Sequence, residues 1–312
     1  NMSSFTKKVL RFTFVLSDGV FNSTGDNVLT IQGLAATCRI TSAGNLMAGL
    51  DASIFGMSES DMHELSTLAL ISTLGNKVTA KNTVQVEAGD GKTMKTVFYG
   101  DIYSAWAEYQ SAPDVYLHIS ANASLVAKTK AAPISSYKGA VSVAVIFADL
   151  AKQAGLIFED GGVNRKVTNP YLTGSSIDQA KELAKQVNCD IAFENKKMLV
   201  TPKGKSIPVD EELIYQLSER SGLVGYPTFD NIGLTFTALY TPDIQLFKDV
   251  ALEMPKKLSQ KTKAEEIGQS NNNTVITSWR VNKLDLILNA LIPYAPWFIQ
   301  GQASSVKNRA RT

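Results

Sequence analysis

The chain has 312 residues, enough to bury a core and to divide into two or three domains. Its 31 basic and 29 acidic residues leave a formal charge of +2, with 44% hydrophobic and 19% charged residues. That is an ordinary globular balance, and it lacks the basic excess of a protein that grips nucleic acid non-specifically.

Residues 9 to 16 place Phe12, Phe14 and Leu16 on one face and Arg11 and Thr13 on the other, the period of a strand. Ser17-Asp18-Gly19 turns the chain; Leu29 and Ile31, then Cys38 and Ile40, then Ser53 to Phe55 continue in strands. Ser58 caps a helix that carries Glu59 and Asp61 in its first turn and Met62, Leu65 and Leu68 or Ala69 at helical spacing. Strands resume at Thr83 to Ala88, at Val97 to Tyr103, and at Val115, Leu117 and Ile119. Residues 1–127 therefore read as a β-rich domain with one helix, a barrel or strongly curved sheet.

Residues 128–137 read as a linker. The period then changes: Val143, Ile146, Phe147, Leu150 and Ala151 share a helical face, with Gly155 as its stop. Phe158 and Val163 to Val167 suit short strands. A second helix opens at Ser175 and buries Ile177, Ala180, Leu183, Ala184 and Val187. Ile191 to Glu194 and Met198 to Thr201 pair as a hairpin, which makes 138–203 a compact α+β unit.

Residues 204–312 return to strands at Leu223 to Pro227 and Ile232 to Tyr240. Residues 255–274 read as a mobile polar loop. The terminal segment, from Trp279 through Leu284, Leu286 and Leu288 to Pro296, Trp297 and Phe298, reads as strand, apolar turn, strand. A short basic tail, Lys307, Arg309 and Arg311, closes the chain. Phe98 to Ala121 is a faint echo of Trp279 to Ala303, as in two β domains of similar design.

Chemistry is hard to find. Cys38 and Cys189 lie far apart without a CxxC, which suits buried thiols or a reducing compartment. His63 and His118 read as helix-surface and strand-surface residues, and Gly89 to Thr93 as a hairpin turn, not a phosphate loop. The pairs Glu159-Asp160, Glu211-Glu212 and Glu265-Glu266 read as solvated acids, not the carboxylate pair of a glycosidase. No cofactor or metal is expected, nor any membrane span. Trp106, Trp279, Trp297, Phe98 and Phe298 lie in alternating patterns that suit core or interface packing.

The order of segments resembles the baseplate hub proteins of contractile-tailed bacteriophages, the group of late control protein D and the hub-like half of VgrG spikes. The resemblance rests on Ala52 to Met57, on Val84 to Gly89 followed by Val97 to Ile102, on Tyr171 to Ala184, on Ile191 to Pro202, and on the ending from Trp279 to Trp297. It spans about residues 5–303 and implies an α+β, β-dominated fold with two tail-tube-like β-barrel domains flanking a small α+β insert. It further implies a non-enzymatic homotrimer that joins a hexameric tail tube to a trimeric central spike, contacts other baseplate proteins and passes DNA through its lumen. Such a protein is made in host cytoplasm and ends in the virion tail. The other readings are a contractile injection system or tailocin component, a peptidoglycan hydrolase, and a carbohydrate-binding adhesin.

Overall fold

Alternation makes the first strand: Leu10, Phe12 and Phe14 are buried while Arg11 and Thr13 stand on the other face of β1 (Val9–Val15). The computed structural model describes residues 7–68, 82–109, 115–230, 233–262, 264–271 and 273–305. Ala69, Pro113, Ile232 and the basic tail lie outside the described residues.

After β1 come β2 (Val28–Gln32), β3 (Ala36–Ala43), β4 (Gly49–Phe55), helix α1 (Glu59–Leu68), β5 (Thr83–Gly89), β6 (Met94–Glu108) and β7 (Tyr116–Asn122). A middle segment holds α2 (Leu125–Thr129), β8 (Ser135–Ser136), β9 (Ala140–Ser142), α3 (Val143–Gln153), β10 (Ile157–Asp160), β11 (Lys166–Thr168) and β12 (Tyr171–Leu172). It continues with α4 (Ser176–Gln186), β13 (Cys189–Glu194) and β14 (Lys197–Pro202). The last segment holds β15 (Tyr215–Leu217), β16 (Thr228–Phe229), β17 (Leu234–Leu239), β18 (Asp249–Pro255), α5 (Lys256–Thr262), β19 (Glu265–Asn271), β20 (Thr274–Ala290) and β21 (Trp297–Ser305).

Local chemistry sets the ends of these elements. Ser58 and Ser175 each accept the backbone N–H three residues on, from Asp61 and Asp178, and donate their hydroxyls to the same aspartates. Gly155, at φ +70°, ends α3 while Leu156 N–H returns to Ala151 O, a Schellman closure. Asn195 and Lys196 both take positive φ, the backbone of a two-residue turn that matches strand twist, and so close β13 onto β14.

The fold is β-dominated with a few helices. Strands of the first and last segments join one 14-stranded sheet among the described residues, through β3 and the C-terminal half of β20. Its main path runs β16, β17, β21, β20, β3, β4, β7, β6, β5, β1, β2 and is open, with no closed barrel among the described residues. Three apolar clusters form. One lies under β1 to β7, one under β15 to β21, and one between α3, α4 and the sheet of β10, β14 and β13. The terminal hairpin feeds two of them: Trp279, Val281 and Leu284 enter the second, Leu288, Ala290 and Trp297 the first.

Three expectations are corrected. Residues 255–274 are not a loop: α5 covers part of them, and β19 pairs antiparallel with the start of β20. An edge strand that is wet on both faces needs no apolar alternation, so its polar sequence hid it. The linker 128–137 contains the end of α2 and β8, which pairs with β12. Leu223 to Pro227 makes a single bridge, Leu223 to Ala238, because Gly222 and Gly225 turn the backbone to positive φ.

Candidate assembly surfaces

Because β3 and β20 pair in register, the face of the sheet away from the cores can be followed in rows across both halves. One row runs Thr237, Gln300, Asp285, Thr41, Gly49, Asn122 and Asp101. The next runs Leu239, Phe298, Ile287, Arg39, Asp51, Ser120 and Ser104, and the one beyond runs Asn289, Thr37, Ser53, His118 and Trp106. The side chains are mostly small and polar, and the two cations there, Arg39 and Lys283, both pair with Asp285. Asp285 takes Lys283 at 3.1 Å, Arg39 at 3.7 Å and the Thr41 hydroxyl at 2.6 Å. Asp51 takes the Ser120 hydroxyl at 2.7 Å and lies 3.8 Å from His118 Nε2. Cations already paired on a near-neutral surface offer little to a phosphate backbone.

The five aromatic candidates separate. Phe98 and Trp297 lie in the first core, and Tyr240 meets the Trp297 ring edge-on at 5.9 Å. Trp279 lies in the second core, where its indole N–H donates to Thr277 Oγ1 at 2.9 Å and its ring is 5.8 Å from Phe229. Trp106 and Phe298 are instead on the polar face. Trp106 is 45% exposed and packs against His118 with ring centroids 4.2 Å apart and the planes tilted; Phe298 is partly buried between Leu239 and Ile287.

At the end of the sheet where β20 turns into β21, the surface becomes apolar. Leu291 and Tyr294 are exposed and both hold φ +56°, a strained backbone for such side chains. Asn289 N–H to Pro296 O at 3.0 Å closes the turn. No charged residue occurs from Leu286 to Val306. The same end carries the Phe55–Tyr116 ring pair at 5.1 Å and exposed Tyr109.

The middle segment is stitched to the sheet. Backbone bonds run from Asn45 N–H to Ile191 O and from Ala48 N–H to Phe193 O, at 2.6 and 2.8 Å. Arg280, its side chain only 4% exposed, reaches Asp190 at 2.9 Å and Lys205 O at 2.8 Å, and lies 4.4 Å over the Phe247 ring. Glu159, read from sequence as a solvated acid, lies in β10 and pairs with Lys197 at 2.8 Å and Lys248 at 3.8 Å. Desolvation raises the Glu194 carboxyl above its ordinary value, although Ser42 donates to it. The sequence reading passed over Arg280 and Asp190; the only signal was a charge within the apolar run Trp279 to Val281.

Asp90 accepts Lys92 and Thr93 N–H and closes the β5–β6 hairpin, and Asp160 closes a turn by accepting Gly162 and Val163 N–H. Glu211-Glu212 begin a 3-10 turn, and Glu266 accepts the Ser259 hydroxyl. Cys38 and Cys189 are buried and unbridged, and burial raises both thiols. Among the described residues no group of three His, Cys, Asp or Glu is placed to hold a metal, and no helix is long and apolar enough to cross a membrane.

A family model described as Baseplate hub gp41 matches residues 9–255. The chain belongs to that family. It is accordingly a baseplate hub protein. Its fold is similar to that of the 43 kDa tail protein of prophage MuSo2 from Shewanella oneidensis, with TM-score 0.58 and 9% identity over 96% of this chain and 97% of that one. A tail protein of Neisseria meningitidis MC58 gives TM-score 0.56 and 11% identity over 95% and 96%. The E. coli c3393 protein, a type VI secretion component described as structurally similar to T4 tail proteins gp27 and gp5, gives 0.55 and 7% over 88% and 74%. At these identities the likeness is one of fold. No curated protein matches the hub by sequence.

Proposed function

We propose that this hub is a non-enzymatic homotrimeric adaptor of a contractile phage tail, joining the hexameric tube to the trimeric central spike. The first and last segments act as two tube-like β units. Three copies then place six such units around one axis, and the curved sheets close into a barrel between chains. The observation that carries this reading is the single sheet whose two halves share one polar face with its cations already paired. That face lines the lumen and lets DNA pass without gripping it. The open ends β2 and β16 are strand edges of the kind that assembly covers. The three apolar cores fit the division into 1–127, 138–203 and 204–312, with the terminal hairpin shared.

In this reading Phe98, Trp279 and Trp297 hold the units together. The turn around Tyr294 meets the next ring, and Trp106 and Phe298, towards that end of the polar face, border the contact. The middle segment and residues 255–274 face outward, towards other baseplate proteins. The protein is synthesised in host cytoplasm and resides in the virion baseplate.

Light scattering with electron microscopy of the purified chain, alone and with tube and spike proteins, tests this directly. A ring of three times the 33.8 kDa chain mass is expected. A strictly monomeric chain in assembled tails, or a lumen lined by other residues, would sink the reading. Trp297→Ala should weaken the fold and with it the ring, whereas Phe298→Ser should weaken assembly and leave the monomer folded. Zymography should show no clearing, against the hydrolase, and the isolated hub should not bind cells, against the adhesin. The same adaptor in a secretion apparatus or tailocin is the second reading, favoured by the fold shared with the E. coli component. DNA release from assembled particles separates the two.

A further inference from the structure

Charge is not spread evenly along the chain. From α2 to the turn after β14, residues 125–205, there are 12 basic and 7 acidic residues, a net +5, while the rest of the chain carries a net −3. Arg11, Arg39, Arg280 and Lys283 of the large sheet each meet a carboxylate. Lys128, Lys181, Lys185 and Lys203 of the basic stretch form no ion pair among the described residues.

Three of these four lysines line one cleft of about 290 Å³. Lys181 and Lys185 of α4, Lys203 after β14, and Asn45 and Asn188 border it over Ala184. Lys128 of α2 acts on the same spot. Desolvation first, then the charge of Lys128, hold the Lys181 ammonium below its ordinary value, against Asp178, which raises it. The one carboxylate of the lining, Asp190, is already taken by Arg280 and by the Gly204 N–H, each at 2.9 Å. Glu182, beside the lysines on α4, accepts from the Gln186 amide at 3.1 Å. The carbonyls at the C-terminal end of α4 would repel an anion, but they are taken too. Val187 N–H meets Leu183 O, Asn188 N–H meets Lys185 O, and Arg165 donates to Val187 O at 2.6 Å. What remains around the cleft is three ammonium groups and two side-chain amides, donors that suit anionic oxygens. Like charges gathered without a counter-charge repel, and an anionic partner relieves that repulsion.

The spacing fits an acidic polypeptide. Lys181 and Lys185 lie one helical turn apart, about 6 Å along the axis. In an extended segment, side chains two residues apart point the same way about 6.6 Å from each other. Two acidic residues separated by one other therefore reach both lysines. Four cations are few for a phosphate backbone.

We propose that this cleft is the docking site for an acidic segment of another baseplate protein, an extended run carrying two or more Asp or Glu residues. The outward position of the cleft rests on the adaptor reading above. The binding does not, because one chain forms the cleft, so a hub that proved monomeric would leave it standing.

The test is fluorescence anisotropy of the full chain with a labelled, end-capped hexapeptide of alternating Glu and Ser as probe. It should bind with a dissociation constant of about 0.1–1 mM at low salt and weaken as salt rises. The exposed pair Lys185→Glu with Lys203→Glu should keep the unfolding temperature and weaken binding at least about tenfold. Lys152→Glu with Lys166→Glu removes the same charge from exposed positions of the same stretch outside the lining, and should change binding less than about twofold. The proposal is overturned if the peptide does not bind at about 2 mM, or if the two double variants lose binding equally, the mark of general basic charge. It is also overturned if inorganic phosphate displaces the peptide at equal concentration, which makes a small-anion site. A short oligothymidylate of the same charge that binds the cleft more tightly than the peptide would overturn it in favour of nucleic acid.

Discussion

Two long hairpins, β6–β7 and β20–β21, are built alike and used differently. Each is antiparallel with a one-residue register shift, at Tyr103 in the first and Asn282 in the second. Each contains a glycine where a side chain has no room. A Cβ on Gly100 would lie 2.6 Å from Asn122 O, and one on Gly301 would lie 2.2 Å from the Phe236 ring. The first hairpin serves one core. The second is a joint: β20 takes β18 and β19 beside its first half and β3 and β21 beside its second, and so feeds two cores. The design is local; what it holds together depends on which edges are left for others.

If the joint reading is right, the largest effect of a single change falls at Arg280. Arg280→Ala leaves Asp190 largely buried without its cation and should cost about 3–5 kcal/mol in denaturant unfolding. The pair Arg280→Met with Asp190→Asn should recover most of that loss. A double variant no better than the single one would mean that the ion pair is not what joins the middle segment to β20.

The two glycines sharpen the comparison. Gly301→Ala and Gly100→Ala should each cost about 1–3 kcal/mol. Gly100→Ala should cost more, because its obstacle at Asn122 is backbone while a Phe236 ring can shift. Equal losses would show that both strands yield in the same way.

Smaller still is a pH effect at the junction. Desolvation, then Glu159, raise the Glu194 carboxyl, against Ser42, Lys197 and Lys248, which lower it. The folded chain holds this proton more tightly than the unfolded one. The stability so gained is full at acid pH and is lost as pH rises through the raised value. Glu194→Gln should therefore gain on the parent in unfolding temperature as pH rises above the ordinary carboxylate range, and lose that advantage on acidification. A pH-independent difference would remove Glu194 as its cause. The smallest effect is expected at Arg11→Gln, which breaks the partly exposed pair with Glu87 at 3.2 Å and should cost less than about 1 kcal/mol.

Much of the fold was legible because its signals are local. Period-2 burial marks β1, β5 and β7; Ser58 and Ser175 announce helices; the terminal strand, turn and strand can be read residue by residue. The pattern failed where burial has other causes. In β20, Thr277 to Val281 are buried on both faces because the second core packs on one and Asp190, Lys205 and Phe247 meet Arg280 on the other, so alternation there reports nothing. In β19 the opposite holds, and a wet edge strand looks like a loop. The assembly candidates were legible only as aromatic residues; their sequence places Trp106 and Trp297 in equivalent patterns, yet one stands on the open face and the other in the core.

By itself, then, the sequence determined the kind of element at most positions, the change of period between segments and the scarcity of catalytic residues, because each depends on neighbours within a few residues. Tertiary structure alone decided that β3 pairs with β20, that the two halves share one polar face, and that Arg280 and Tyr240 meet residues of other segments. Those contacts join residues up to some 250 positions apart, such as Ala36 and Ala290. No local period encodes such a pairing; it follows from which edges and apolar faces remain uncovered once the local elements have formed.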